Sequence, residues 1–418
     1  MAKANLIDKL NRALPAAARK LLAAIVRDAQ GEALAIYLVG GSVRDLLLNR
    51  PTLDVDLTLE GDAPALARRV AFGLEDVRCI IHSVFGTATL KGANFRLDLA
   101  TARVETYERP GALPSVHPGS LQDDLFRRDF TVNALALALT GDQRGAITDP
   151  FDGRSDLEAS LLRVLHETSF KDDATRILRA ARYGSRLSFR LESNTMRWLR
   201  RDVTYLEAIS GHRIREELAR IFHEPQPERT LMWLSELGAL QAIHPTLSFD
   251  GSLAKAFGKL REIHAPPSRT VYLALLAWEA SRPEAAALAT RLALNKRETE
   301  AVRAVAEVRA LERDLSAEVR PSRAVALLSP FPSAAVWALA AAGQESARVQ
   351  ASRYLRRWRY VKSSLDGHAL LAMGAIPGPQ LGQVLRRLKA AKLDGEVRSR
   401  SDEEMLARAL LASGPETP

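Results

Sequence analysis

The sequence predicts an α+β protein, in which a small α/β head is followed by a long all-α remainder. Between about residues 35 and 150, short apolar or alternating segments are separated by glycine-rich turns, as strands are. Beyond about residue 150 these signals fade, and segments rich in Ala, Leu and Arg end at Gly or Pro, as successive helices do. The 418 residues suffice for about two to four domains.

The elements of the head follow in order along the chain. Residues 1–30 predict one or two amphipathic helices, broken near Pro15. The segment AIYLVGGSVRDLLL, from Ala35, predicts a buried strand, a Gly-Gly turn and the start of a helix. DVDLTLEGD alternates like a half-buried strand, and ATLKGANFRLDLATA predicts two more strands around a turn at Gly92–Asn94. The stretch 104–124 is rich in Pro and Gly, which predicts a long loop that is mobile or functional.

Composition narrows the class of protein. The net charge of +9 favours a polyanionic partner through release of counterions, although a basic surface kept for solubility is the alternative. The single cysteine, Cys79, excludes an intramolecular disulfide and a thiolate-rich metal site. No run of about 18 apolar residues predicts a transmembrane helix, and the N-terminus lacks the pattern of a secretory signal. We therefore expect a cytoplasmic protein with no membrane partner, and the sequence predicts no particular oligomeric state.

Two aspartates, Asp54 and Asp56, give the most specific chemical signal. They are spaced i, i+2 in a predicted strand, so both carboxylates point to one face. Adjacent carboxylates repel each other unless a cation lies between them, and Mg²⁺ prefers such oxygen ligands together with nucleotide phosphates. Upstream, the segment Gly40–Asp45 places two glycines after a strand, where the backbone can approach a phosphate. Asp98, in another predicted strand, is a candidate third metal ligand. The alternatives are a solvated Asp-x-Asp and, for Asp98, a salt bridge at the strand end.

Two further segments have side chains suited to a nucleotide. In the first, Arg128 suits a phosphate, and Asp129 and Asn133, which share a face if a helix begins there, suit ribose hydroxyls. In the second, Asp173 and Arg176 are i and i+3 on a predicted helix, so the pair can read the edge of a base. An N-cap aspartate beside a surface arginine, and an ordinary ion pair on a helix, are the respective alternatives.

A basic patch with interleaved aromatics lies near residue 355. It supplies candidate RNA-binding residues, because cations give affinity for phosphate and aromatics can stack. They are Arg353, Arg356, Arg357, Arg359 and Lys362. The alternative is that Tyr354 and Trp358 are core anchors beside solvated arginines.

Taken in order, the motifs GGSVRD, LDVDL, RRDFTVNALA, DPFDGRSDL and DDATRILRAARYGSRLSF resemble those of the class II tRNA nucleotidyltransferase and bacterial poly(A) polymerase family. The resemblance covers about residues 35–240 and returns near the C-terminus. It implies a polymerase beta-like nucleotidyltransferase head over 1–150, then a helical neck for nucleotide selection over 151–240. It also implies a helical body over 241–350 and a tRNA-binding tail over 351–418.

The resemblance implies roles for individual residues. Asp54 and Asp56 would bind catalytic Mg²⁺. Asp173 and Arg176 would act as an amino-acid template for the base. The family's motif is E-D-x-x-R, and its first residue, a glutamate in the family, is Asp172 in this chain. The full predicted nucleotide site comprises Gly40, Gly41, Arg44, Arg128, Asp129, Asn133, Asp173, Arg176, Arg179 and Arg182, with the last two facing the triphosphate.

The predicted function is template-independent addition of CCA, or of the terminal A, to the 3′ end of tRNA from CTP and ATP by two-metal-ion catalysis. The segment ARVETYERPGALPSVHPGSLQDDL resembles the family's flexible loop, which enzymes that add only CC tend to lack. Two alternatives stay open: a poly(A) polymerase, which shares the motifs, and a non-catalytic RNA-binding protein that kept the fold. We see no His–Asp phosphohydrolase signature in the C-terminal half, so no second hydrolytic activity is expected.

Overall fold

The chain divides into two compact units, Met1–Ile209 and Ser210–Pro418. The computed structural model describes residues 6–51, 54–74, 76–109, 111–112, 114–264 and 266–412, without the side chains of Asp54 and Val84. The finer division into head, neck, body and tail stays a prediction.

The first unit is built around a mixed β-sheet. The strands of the unit are β1 (Ile36–Val39), β2 (Asp54–Leu59), β3 (Arg78–His82), β4 (Thr87–Lys91), β5 (Arg96–Thr101), β6 (Arg103–Thr106), β7 (Ser115–Pro118), β8 (Ala136–Ala138), β9 (Ile147–Thr148), β10 (Leu161–Leu162) and β11 (Arg190–Leu191). Within the described residues the main sheet has the order β3-β4-β5-β2-β1-β8-β9. The pair β2–β5 is parallel, and the other pairs of this sheet are antiparallel.

Nine α-helices of the described residues accompany the sheet in this unit, and α4 packs against it. The helices of the unit are α1 (Leu6–Ala13), α2 (Ala16–Gly31), α3 (Gly41–Leu47), α4 (Ala63–Phe72), α5 (Leu121–Phe126), α6 (Gly153–Glu158), α7 (Ser169–Asp172), α8 (Thr175–Leu187) and α9 (Ser193–Asp202). Helix α4 contacts β3, β4 and β5 and buries Leu66, Ala67 and Val70. Because strand residues alternate between faces, Val55 and Leu57 of β2 are buried on one side and Asp56 lies on the other.

The elements predicted for residues 1–101 are confirmed: α1 and α2 are separated near Pro15, and β1, α3, β2, β4 and β5 follow. The predicted loop over 104–124 is wrong in part, because β6 pairs with β7 in an antiparallel sheet and α5 begins at Leu121. Ser120 and Asp123 form a capping box that starts this helix. The expectation of an all-α chain after residue 150 misses β10 and β11, a short parallel pair of two residues each.

The second unit is helical throughout its described residues. Its helices are α10 (Gly211–Phe222), α11 (Pro227–Glu236), α12 (Ala239–Ile243), α13 (Gly251–Ile263), α14 (Arg269–Leu276), α15 (Arg282–Arg291), α16 (Lys296–Ala310), α17 (Pro321–Leu328), α18 (Ser333–Ala342), α19 (Glu345–Arg356), α20 (Gly367–Ala372), α21 (Pro379–Leu393) and α22 (Arg400–Ala412). Stacked aromatics anchor its core, with the Tyr272 ring 5.1 Å from those of Phe222 and Phe257. No helix among the described residues combines the length and apolarity needed to cross a bilayer.

Candidate active site

Asp56, one of the two predicted metal ligands, lies on the sheet face opposite the buried Val55 and Leu57. Asp54 is the first residue of β2; its side chain lies outside the described part of the structure. Asp56 is half-buried and is the register partner of Asp98 on β5. Register partners on neighbouring strands point to the same face, so Asp56 and Asp98 share one surface of the sheet.

Asp98 already has a cationic partner. Its Oδ2 is 2.8 Å from Arg96 Nε, and its Oδ1 accepts a hydrogen bond of 2.5 Å from Thr89 Oγ1. The salt bridge that the sequence left as the alternative is therefore present. Among the described side chains, which do not include Asp54, no group of three or more His, Cys, Asp or Glu is arranged to hold a metal ion. The carboxylate oxygens of Asp54 and Asp56 remain the donor set of the predicted site, and their chemistry suits a hard ion such as Mg²⁺.

Gly40, between β1 and α3, combines a positive φ with a close neighbour from another segment. Its φ is +71°, in the left-handed region, and a Cβ at this position would lie 2.6 Å from Arg128 Nη1. The close neighbour of the Gly-Gly turn is therefore the guanidinium of Arg128. Arg128, which the sequence predicts to bind phosphate, therefore lies next to the turn that is also predicted to bind phosphate.

Replacing Gly40 by alanine should raise the KM for ATP by about ten-fold, because the added methyl group would displace the Arg128 guanidinium. Gly141→Ala is the matched control, since Gly141 has a φ of +70° but no atom within 4 Å of the added Cβ. Steady-state nucleotide incorporation measures both variants. An equal rise in KM in the two variants would assign the effect to backbone strain alone and contradict the prediction.

A continuous chain of hydrogen bonds connects α3 with α8. Arg44 is 2% exposed, and its Nη1 donates to Asn133 Oδ1 at 2.6 Å. Asn133 Nδ2 donates to Asp129 Oδ1 at 2.8 Å, and Arg179 Nε donates to Asp129 Oδ2, also at 2.8 Å. The sequence predicted these four residues as parts of one nucleotide site, and the structure brings their side chains together.

The Asp129 carboxylate is ionised in this network. Burial alone raises its pKa, but the Arg179 guanidinium and the hydrogen bond from Asn133 outweigh burial and hold the pKa at about 2. No α-helix begins at Asp129, because residues Thr131–Asn133 form a single 3-10 turn. The expected contact between Asp129 and Asn133 forms across this turn, and the backbone N–H of Phe130 also donates to Asp129.

Asp124 forms ion pairs with two arginines, Arg127 and Arg128. Its side chain is fully buried and lies 2.7 Å from Arg128 Nη2 and 2.5 Å from Arg127 Nη2. Burial raises the pKa of Asp124, but the two guanidinium groups more than reverse that effect and hold it below its usual value. The sequence analysis missed Asp124, although its i, i+3 and i+4 spacing to the two arginines was a usable signal.

Asp173 and Arg176 do not share a helix as the sequence predicted. Helix α8 begins at Thr175, and Asp173 Oδ1 accepts hydrogen bonds from Thr175 N at 2.9 Å and Thr175 Oγ1 at 2.7 Å. Arg176 is 4% exposed and donates to the hydroxyl of Ser169 and, at 2.7 Å, to the carbonyl oxygen of Arg127. The helix starts later than predicted because Asp173 has an extended backbone, with φ −141° and ψ 97°, between α7 and α8.

The basic patch of the second unit contains both surface and core residues. A cleft of about 390 Å³ is lined by cationic side chains and one carboxylate, namely Lys259, Arg348, Arg353, Arg356, Arg357 and Glu345. Tyr354 and Trp358 are each 8% exposed, so the core-anchor alternative holds for these two aromatics. The guanidinium carbon of Arg359 lies 5.1 Å from the centroid of the Tyr360 ring. Tyr360 is 65% exposed, and Lys362 is exposed as well.

Two family models match the chain. The model described as "Poly A polymerase head domain" matches residues 36–163. The model described as "Probable RNA and SrmB- binding site of polymerase A" matches residues 188–250. The first of these matches contains every predicted site residue from Gly40 to Asn133.

Curated relatives resemble nearly the whole chain. An A-adding tRNA nucleotidyltransferase of Halalkalibacterium halodurans is 33% identical over 97% of this chain and 95% of its own length. A CC-adding tRNA nucleotidyltransferase of Deinococcus radiodurans is 33% identical over 91% of this chain and 90% of its own length. An A-adding tRNA nucleotidyltransferase of Geobacter sulfurreducens is 31% identical over 97% of this chain, which spans only 48% of that longer protein.

Solved structures resemble the fold over its full length. A CCA-adding enzyme in an apo form has a TM-score of 0.83 at 28% identity, over 98% of this chain and 99% of that one. The Thermotoga maritima CCA-adding enzyme complexed with tRNA-CCA has a TM-score of 0.79 at 28% identity, over 98% of each chain.

Proposed function

Because the chain belongs to the family of tRNA nucleotidyltransferases and bacterial poly(A) polymerases, we propose that it adds CCA, or the terminal A alone, to the 3′ end of tRNA. CTP and ATP are the nucleotide donors, and no nucleic-acid template is used. The observation that carries the proposal is the near full-length likeness to tRNA nucleotidyltransferases. A cytoplasmic location suits a tRNA substrate and a chain with one cysteine.

The chemistry is transfer of a nucleotidyl group to a 3′ hydroxyl. Enzymes of this family are metal-dependent, and we assign Mg²⁺ to Asp54 and Asp56, with Asp98 as an adjoining carboxylate held by Arg96. When bound, such ions lower the pKa of the attacking hydroxyl and stabilise the pyrophosphate that leaves. The chain's own part is to keep two carboxylates on a rigid strand, where their mutual repulsion favours the cation.

The buried hydrogen-bond chain positions the nucleotide. Arg128, beside Gly40, is assigned to phosphate, and Asp129 with Asn133 is assigned to the sugar. The Asp129 carboxylate is ionised and fixed by Arg179, so this part of the site is formed before the nucleotide arrives. Pre-formed groups of this kind accelerate transfer because they need no reorganisation during the reaction.

Selection of the base is assigned to Asp173 and Arg176. Asp173 Oδ1 is held by Thr175, and the Arg176 guanidinium is held by Ser169 and by the carbonyl oxygen of Arg127. These anchors fix the directions of the two side chains. A fixed carboxylate and a fixed guanidinium can discriminate bases by the pattern of hydrogen-bond donors and acceptors that each base presents.

The cationic cleft of the second unit is assigned to RNA phosphates. Arg353, Arg356 and Arg357 line it together with Lys259 and Arg348, and Glu345 is the carboxylate in its lining. Arg359 and Lys362 extend the charge beside the exposed Tyr360 ring. Contacts of this type bind an RNA helix by its backbone and shape, without reading its sequence.

The product ladder on two tRNAs tests the proposed function. We expect a tRNA ending in CC to receive a single A and then stop in the presence of Mg²⁺, CTP and ATP. A tRNA ending at the discriminator base should receive three residues if the chain is a CCA-adding enzyme and none if it adds only the A.

The same gel distinguishes the rivals. A long A tail on either substrate would favour the poly(A) polymerase, which the head-domain match makes the second candidate. Absence of metal-dependent incorporation on both tRNAs would contradict the enzyme and favour an RNA-binding protein that kept the fold.

A further inference from the structure

The ring of Tyr183 on α8 is surrounded by arginines. The guanidinium carbons of Arg182, Arg186, Arg44 and Arg179 lie 4.6, 5.0, 5.2 and 5.8 Å from the ring centroid. These four residues are called the arginine cluster below. Tyr183 is not among the site residues predicted from the sequence.

The cluster brings like charges together, and two of its four arginines are buried, whereas Arg179 is half-buried and Arg186 is exposed. Arg44 is 2% exposed and Arg182 is 7% exposed, so both guanidinium groups have lost most of their water. Burial of a charge and repulsion between neighbouring cations both oppose this arrangement. Asp45 and Asp129 offset part of the cost by pairing with Arg44 and Arg179. The electron-rich face of an aromatic ring offsets cationic charge without adding a negative one.

The ring also connects two parts of the predicted nucleotide site. Arg179 and Arg186 are i−4 and i+3 from Tyr183 on α8, and Arg44 comes from α3. Arg44 and Arg179 are in turn the two ends of the hydrogen-bond chain through Asn133 and Asp129. The Tyr183 ring also packs nearly perpendicular to the buried Phe130 ring, with centroids 6.0 Å apart and an interplanar angle of 86°.

We propose that Tyr183 is a positioning residue, which holds Arg179 and Arg182 in the orientation that receives the triphosphate of the incoming nucleotide. This inference rests on the proposed function of the same site. A ring can hold several guanidinium groups without adding a negative charge, whereas a further carboxylate in its place would compete with the phosphates of the substrate.

The test compares Tyr183→Leu, which removes the ring, with Tyr183→Phe, which keeps it. We expect the leucine variant to raise the KM for both ATP and CTP by about ten-fold while kcat changes by less than about two-fold. The phenylalanine variant should keep both constants close to those of the parent chain. Phe72→Leu is the control, because Phe72 is an aromatic of the same unit that is 97% exposed.

A direct measurement separates this proposal from the proposed function. The dissociation constant of ATP, measured by calorimetry without tRNA, should rise in Tyr183→Leu as the KM does. If the parent chain binds ATP but extends no tRNA, the proposed function fails while the binding comparison still decides the role of the ring.

An unchanged KM and ATP affinity in Tyr183→Leu, with only a lower Tm, would overturn the proposal and leave Tyr183 a structural residue. If the leucine variant does not fold, Tyr183→Met is used, because its flexible side chain fills irregular space without a π-face. Failure of both variants to fold would show that the ring serves folding itself, which also overturns the proposal.

Discussion

Asp56→Asn should lower the rate of nucleotide incorporation by at least about 10³-fold, because a bound divalent ion contributes several kcal/mol of transition-state stabilisation. The substitution keeps the size of the side chain on β2 and removes only its charge. Asp54→Asn should have a similar effect. Single-turnover incorporation of ATP into tRNA ending in CC measures the loss, and binding of the same tRNA should stay within about two-fold of the parent value.

Asp142→Asn is the matched control, since Asp142 is an exposed aspartate of the same unit in the turn before β9. This variant should keep full activity. Retained turnover in Asp56→Asn would remove the metal assignment. A parallel loss of tRNA binding would instead indicate that the substitution damages the fold.

Asp129→Asn should lower the free energy of unfolding by about 2–3 kcal/mol, because it leaves the guanidinium of Arg179 without its buried carboxylate partner. Asn133 and the N–H of Phe130 would retain an oxygen acceptor, so the loss comes mainly from the charge. Urea unfolding at neutral pH measures the difference, with Asp142→Asn again as the control.

The difference in the free energy of unfolding between the parent chain and Asp129→Asn should also depend on pH. The pKa of Asp129 is about 2 in the folded chain, below its ordinary value of 3.8. A depressed pKa of a carboxyl group stabilises the fold above the unfolded pKa, and this contribution, on the order of 2 kcal/mol, disappears as the pH falls towards 2. The gap between the parent chain and Asp129→Asn should therefore narrow between pH 4 and pH 2. A gap that stays constant over this range would contradict the assignment of an ionised Asp129.

Local patterns in the sequence predicted the elements that carry the candidate site. Alternation along DVDLTL predicted β2 and the face of Asp56, because side chains on a strand have a period of two residues. The Gly-Gly segment predicted the turn into α3, where the positive φ of Gly40 needs a residue without a Cβ. Both features depend only on residues that are close along the chain.

Two local predictions were wrong for identifiable reasons. The β6–β7 hairpin contains prolines and glycines that are typical of a loop, and its strands form through pairing and through ion pairs of Glu105 with Arg103 and Arg127. The start of α8 lies beyond Asp173, because the extended backbone of Asp173 separates α7 from α8 and its side chain accepts hydrogen bonds from Thr175. The periodicity of apolar residues in a sequence does not indicate which strands pair or which side chains form hydrogen bonds.

The sequence by itself determined the α+β class and the strand that carries the acidic pair, and it predicted a set of polar residues for one site. Only the tertiary structure decided which of these residues touch. Arg44 meets Asn133 across 89 positions of the chain, and Arg179 meets Asp129 across 50. The same holds for the Arg44 guanidinium beside the Tyr183 ring and for the Arg128 guanidinium against Gly40. Such contacts form because packing of the sheet and its helices brings distant segments within hydrogen-bonding range, and no local preference of the chain encodes that distance.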